Sequence, residues 1–356
     1  MLDTSPSVPA AVRDARDWAR LLLPYREADG RRAVRELVLT AGPFALFWGL
    51  AAVAVGPTPW LAVALSVVNG GFLVRLFAIQ HDCGHGSFFP SKAANAWVGR
   101  LLGVLTMTPY DAWRHTHSVH HASTGNLDRR GVGDIQTLTL AEYRGLPPAR
   151  RFLYRLYRNP FMVLGVYPSY VFLVENRLPI GWGARGAIFW ASAMGTNLGI
   201  AAFFALGIWA MGAGPFLLVH LPAVISAATV GVWLFYVQHQ FEDASWDVEA
   251  DWQLHDAALH GSSHYVLPRP LRWLTANIGI HHVHHLNSRI PFYRLPEVLR
   301  DHPALEEIGR LTVRESLQCL RLRFWDETGR KLVRRDGTPA PMPASLGGDA
   351  APAATG

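Results

Sequence analysis

The chain has 356 residues, of which 50% are hydrophobic and 17% charged, with 33 Lys+Arg against 27 Asp+Glu and a net charge of +6. About 25% charge is usual in a soluble domain, so this composition excludes a disordered chain and favours membrane burial or an unusually large core. The two cysteines, Cys83 and Cys319, are too few and too far apart to frame a fold, which also excludes a disulfide scaffold.

The opening 36 residues are charged, carrying Arg13, Arg16, Arg20, Arg26, Arg31, Arg32 and Arg35, and read as a cytoplasmic segment without a signal peptide. Leu37 to Val74 then runs for 38 residues without one Asp, Glu, Lys or Arg, broken at Gly56-Pro57-Thr58-Pro59. A crossing helix needs about 20 apolar residues, so this block predicts two spans, near 38–56 and 58–79. Arg75, at the end of the second, is expected to snorkel to the interface. Leu101 to Pro109 and Pro160 to Val174 are too short to cross and read as interfacial. Gly186 to Phe241 is free of charge over 56 residues and breaks at Gly212-Ala213-Gly214-Pro215, predicting spans at 187–211 and 215–238. Residues 37–335 thus form one membrane domain, and 336–356, rich in Pro, Ala and Gly, read as a disordered tail.

Arginine orients the bundle. The two span-joining turns lack Lys and Arg, whereas the N-terminal segment, the central loop (Arg144, Arg150, Arg151, Arg155, Arg158) and the C-terminal segment (Arg321, Arg323, Arg334, Arg335) are rich in it. Both termini and the central loop are therefore expected on the cytoplasmic side. Basic charge placed beside apolar blocks points to anionic lipid and not to nucleic acid. The expected fold is all-α and integral to the membrane: four transmembrane helices as two hairpins, with interfacial helices and a cytoplasmic, histidine-rich helical cap.

Fourteen of the 16 histidines fall in two windows, His81 to His121 and His239 to His285, each opening where a predicted span reaches that face. His81 and His85 are spaced i,i+4. His117, His120 and His121 follow i,i+3,i+4, and His281, His284 and His285 repeat the pattern. Each set points its imidazoles from one face of a helix. Three such sets exceed what one four-coordinate ion uses, so two metal ions are the economical reading. Imidazole suits zinc, copper, iron and nickel alike. No Glu-x-x-His pair, HExxH, GxSxG or phosphate loop occurs. Gly181 to Gly186 matches GxGxxG, but no strand precedes it and no dinucleotide role follows.

The motifs HDCGH at His81, WRHTHSVHH at Trp113 and NIGIHHVHHLNSRIPFY at Asn277 resemble the three histidine boxes of membrane fatty acid desaturases, over roughly Phe72 to Pro296, and most closely those of the bacterial acyl-lipid omega-6 (Δ12) type. The resemblance implies two irons held by His81, His85, His117, His120, His121, His281, His284 and His285. It also implies one more histidine between the second and third boxes. Among His239, His255, His260 and His264, His239 directly follows the fourth span, and the others read as loop histidines. Asp82, Asp111, Glu242, Asp243, Asn277 and His282 are candidates to orient the ligands, while His115 points elsewhere. The implied activity is O2-dependent insertion of a cis double bond into a fatty acyl lipid. No cytochrome b5 or rubredoxin signature is present, so electrons are expected from a separate donor of ferredoxin, flavodoxin or cytochrome b5 type. A membrane hydroxylase or ketolase acting on a substrate such as a carotenoid is the competing enzyme, and a metal-binding or transport protein the competing class.

Overall fold

A computed structural model describes residues 14–180, 186–336 and 338. The GxGxxG stretch except Gly186, and the tail beyond Asp336 except Thr338, lie outside them.

Among the described residues, four helices are long and apolar enough to cross a membrane: Gly30–Ala54, Pro59–His85, Ala187–Met211 and Ala213–His239. The first begins ahead of the uncharged block because Asp29 caps it, accepting from the N–H groups of Arg31 and Arg32 at 2.8 and 3.1 Å. The second starts at Pro59, whose missing N–H costs nothing there, and runs on through HDCGH to Gly86, whose φ of +67° ends it in the left-handed conformation. The first histidine box is therefore the last turn of a membrane helix. The second span is the most buried of the four and the third the least. At Gly70 a Cβ would fall 2.9 Å from the Ala223 carbonyl, so only glycine lets the second and fourth spans meet this closely.

Arg75 corrects one expectation. Its side chain is only 1% exposed; it reaches Glu36 of the first span at 2.5 Å and Thr40 at 3.1 Å. It also donates to the Trp273 carbonyl and lies 4.1 Å over the Trp273 ring. Cap residues cover the end of the bundle, and Arg75 is met there by a buried acid.

The cap begins with the helices Lys92–Leu105 and Tyr110–Ser123, and the short interfacial pieces follow as Pro148–Tyr157, a π turn at Met162–Val166 and Tyr167–Leu173. After the fourth span come Leu254–His260, Arg269–Leu274, His281–Leu286, Leu295–Asp301 and Val313–Cys319. Two small sheets add to the helices. Leu138–Thr139 lies parallel to Phe324–Asp326, which pairs antiparallel with Lys331–Val333, and His264–Val266 lies parallel to Arg310–Thr312. Both join distant parts of the cap, so the C-terminal segment is clamped onto the loops that carry the histidines. His255 and His260 are helical and His264 is in a strand with its Nδ1 bonded to the Glu306 carbonyl at 2.7 Å, so none of the three is a loop histidine.

Candidate metal centre

Nine imidazoles converge above the ends of the second and fourth spans. They form two groups, His81, His85, His117, His121 and His284 in one and His120, His239, His281 and His285 in the other, each with ligand-capable atoms within 4.8 Å of one another. Every histidine expected from the boxes, and His239 with them, belongs to a group. His255, His260, His264, His115 and His282 belong to neither.

Helical phase divides the boxes. On Tyr110–Ser123, His117 and His121 are one turn apart and face the first group, whereas His120 is turned about 100° from His121 and faces the second. On His281–Leu286 the division is reversed, with His281 and His285 in the second group and His284 in the first. Expecting each box to act as one face misses this: the HxxHH pattern supplies both groups from one helix.

The Nε2 atoms face each other. His117 lies 3.1 Å from both His85 and His121, His121 lies 3.2 Å from His284, and His239 lies 3.2 Å from His120 and 3.0 Å from His281. Nitrogens each about 2.0–2.1 Å from a shared ion sit roughly 3.0–3.4 Å apart, the range seen here. A chain of N–H···N bonds could produce similar distances, but it leaves His285 unexplained, because neither of its buried ring nitrogens has a hydrogen-bond partner. Nδ1 of His281 and His284 are likewise orphaned. Burial, followed by the charge each neighbour would carry, pushes His117, His121, His281, His284 and His285 well below the usual imidazole range, which keeps them in the neutral, ligating form. The donor set fits metal ions.

Three partners fix ring orientation. Asp82 accepts from Nδ1 of His81 at 3.0 Å, and its other oxygen accepts the Phe292 N–H at 2.6 Å, tying the first box to the segment after the third. Asp134 accepts from Nδ1 of His120 at 2.5 Å, and the Gly261 carbonyl faces Nδ1 of His239 at 3.3 Å. Each carboxylate thereby points one Nε2 into one group, the arrangement expected around a bound ion. Asp134 and Gly261 were missed by the sequence reading, since both lie on loops whose approach no spacing records. Three of the other candidates have partners outside the two groups. Asp111 binds Arg100 at 3.0 and 3.2 Å, and Asn277 donates to the Phe292 carbonyl at 3.2 Å. His282 points away, bonding the Leu305 carbonyl at 2.8 Å; burial pushes it down to about 3. Glu242 is half-buried, and its charge bears on Cys319. Asp243 is exposed on the turn after the fourth span.

Such a bundle joins four helices apolar enough to cross a membrane to two polyhistidine groups that could each hold a metal ion, among the described residues. A family model described as Fatty acid desaturase matches residues 58–315. The Fatty acid desaturase of Bacillus subtilis (strain 168) is 42% identical over 309 residues, 87% of each chain. The sn-1 acyl-lipid omega-3 desaturase (ferredoxin) of Synechocystis sp. is 30% identical, covering 83% of this chain and 81% of the relative. A third relative, the sn-1 oleoyl-lipid 12-desaturase of the same Synechocystis, is 27% identical across 69% of this chain and 71% of its own. The chain belongs to the fatty acid desaturase family, and its activity is that of an oxidoreductase that desaturates fatty acyl chains.

Proposed function

We propose that the protein inserts a cis double bond into acyl chains of membrane lipids, using O2 and two irons, one held by His81, His85, His117, His121 and His284 and the other by His120, His239, His281 and His285. The carrying observation is the convergence of nine imidazoles, from four stretches of a desaturase-family chain, into two groups. Bound there, iron supplies the O2 chemistry that an unactivated methylene requires and no side chain provides.

The chain's own residues hold and seal this site. Asp82 and Asp134 set the tautomers of His81 and His120, so that Nε2 and not N–H faces inward. Trp113 stacks on His117 at 4.6 Å, while Phe235 lies 5.1 Å from His120 and 5.3 Å from His239, which keeps water from the inner faces of those rings. Both termini and the cap face the cytoplasm of a bacterial cell, following the arginine distribution. Electrons arrive from a separate ferredoxin, flavodoxin or cytochrome b5 type donor; two relatives are named for ferredoxin use. A Δ12 (omega-6) position is our reading of the box sequences; relatives named as 12-desaturases support it, and a relative named as an omega-3 desaturase points to a different position.

The test is gas chromatography with mass spectrometry of total fatty acids from a host making saturated and monounsaturated chains, with and without the protein. A new diene supports the Δ12 position. A new monoene moves the position and keeps the activity. Hydroxylated or ketonised products would overturn the reading.

A further inference from the structure

A groove of about 400 Å3, with no histidine in its lining and unused by the chemistry above, runs between the helix Pro148–Tyr157 and the C-terminal strands, lined by Phe152, Arg155, Leu156, Asn159, Arg323 and Arg335. Among the described residues, the ion pairs seen elsewhere in the protein do not include Arg155, Arg323 or Arg335. The nearby acid Asp336 is turned to the Thr338 N–H and hydroxyl, at 3.0 and 2.7 Å. A fourth charge stands behind them: buried Arg158 bonds only neutral oxygens, those of Gln136, Thr137, Tyr236, Gln240 and Leu322. After burial and against the pull of Tyr236, the charges of Arg158 and Arg335 hold Arg323 below its ordinary value, as expected of like charges crowded without a counter-ion. Such a cluster is completed by an anion.

Its surroundings say which kind. Phe152 and Leu156 on the groove wall are 58% and 44% exposed, and Leu153 and Phe161 continue the same apolar surface. Depth is fixed by Arg158, which follows this helix directly and donates to Tyr236 and Gln240 at 3.1 and 3.0 Å, where the fourth span leaves the membrane. Apolar side chains at that level meet acyl chains, and guanidinium groups beside them meet phosphates. We propose that this groove binds the headgroup of an anionic phospholipid, its phosphate held by Arg155, Arg323 and Arg335 and its acyl chains lying on Phe152 and Leu156. The assignment stands apart from the reading of the metal centre. An acidic soluble partner would match the arginines and leave the apolar wall uncovered.

The experiment uses the full-length protein, delipidated in neutral detergent and titrated with short-chain phosphatidylglycerol, short-chain phosphatidylcholine or inorganic phosphate, with binding read by native mass spectrometry and by the thermal unfolding midpoint. Phosphatidylglycerol is expected to bind at least tenfold more tightly than either of the others. Changing Arg155, Arg323 and Arg335 to Gln should weaken it about fivefold per residue. The same three changed to Lys should keep most of the affinity, which separates lost charge from a damaged fold. Phe152→Ser should weaken the lipid and leave inorganic phosphate unaffected. Equal binding of both lipids would overturn the proposal, as would phosphate binding as tightly as phosphatidylglycerol. Unchanged lipid binding in the Gln variant, with slower turnover driven by an acidic electron donor, would reassign the groove to that protein.

Discussion

Replacing Asp134 with Ala removes the one partner of the His120 Nδ1–H. The bond is 2.5 Å long, and the His120 ring is only 1% exposed while Asp134 is 20% exposed, so water cannot easily take the acceptor's place. Without it the ring is free to carry its proton on Nε2, the atom that faces His239 at 3.2 Å. Losing an orienting carboxylate of this kind costs about 10- to 100-fold in metal affinity, or roughly 1.4–2.7 kcal/mol. We expect Asp134→Ala to lose metal mainly from the group of four histidines, with the metal-to-protein ratio falling from two toward one. Asp134→Asn, which keeps a neutral acceptor, should be milder. The assay is elemental analysis of purified protein after graded chelator, with His115→Ala as control, since His115 packs on Phe189 at 5.1 Å outside both groups. Two equivalents of metal retained by Asp134→Ala at every chelator concentration would refute the reasoning.

Other expectations follow from the same geometry. His120→Ala or His284→Ala should abolish desaturation while the protein stays in the membrane fraction, checked by fatty acid profiling and immunoblotting. Stripping metal with chelator should end turnover, and ferrous iron, not zinc, should restore it in a reconstituted assay. Glu36→Gln leaves the Arg75 charge buried without its acid and should cost about 3–5 kcal/mol, read as a lower unfolding midpoint in detergent. In Gly103→Ala the new Cβ would stand 2.5 Å from the Thr108 carbonyl oxygen, a backbone atom just before the second histidine helix, and about 1–3 kcal/mol of destabilisation is expected in the same measurement.

The spans were legible because uncharged runs of 38 and 56 residues have few other uses, and the breaks at Gly56-Pro57 and Gly212 lie at the observed helix ends. The convergence of the histidines was legible because i,i+3,i+4 spacing survives as a pattern in one dimension. What the pattern could not carry was direction relative to a partner helix, so the sharing of each HxxHH box between two groups came only from the fold. Asp134 and the Gly261 carbonyl stayed hidden for a related reason: a loop that returns to a helix leaves no periodic trace. Arg75 was misjudged because a span read alone has water at its end, whereas here Trp273 and Glu36 close over it.

The alternation of His117, His120 and His121 along a single helix, mirrored by His281, His284 and His285, has a mechanical outcome. Two helices act as common walls between neighbouring chambers, so the spacing of the chambers is set by the rise and twist of an α-helix and not by how domains happen to rest together. No hinge motion can draw the two groups apart without unwinding a turn. For a reaction that takes two hydrogens from adjacent carbons, such a frame keeps the two groups at a spacing set by the helices they share.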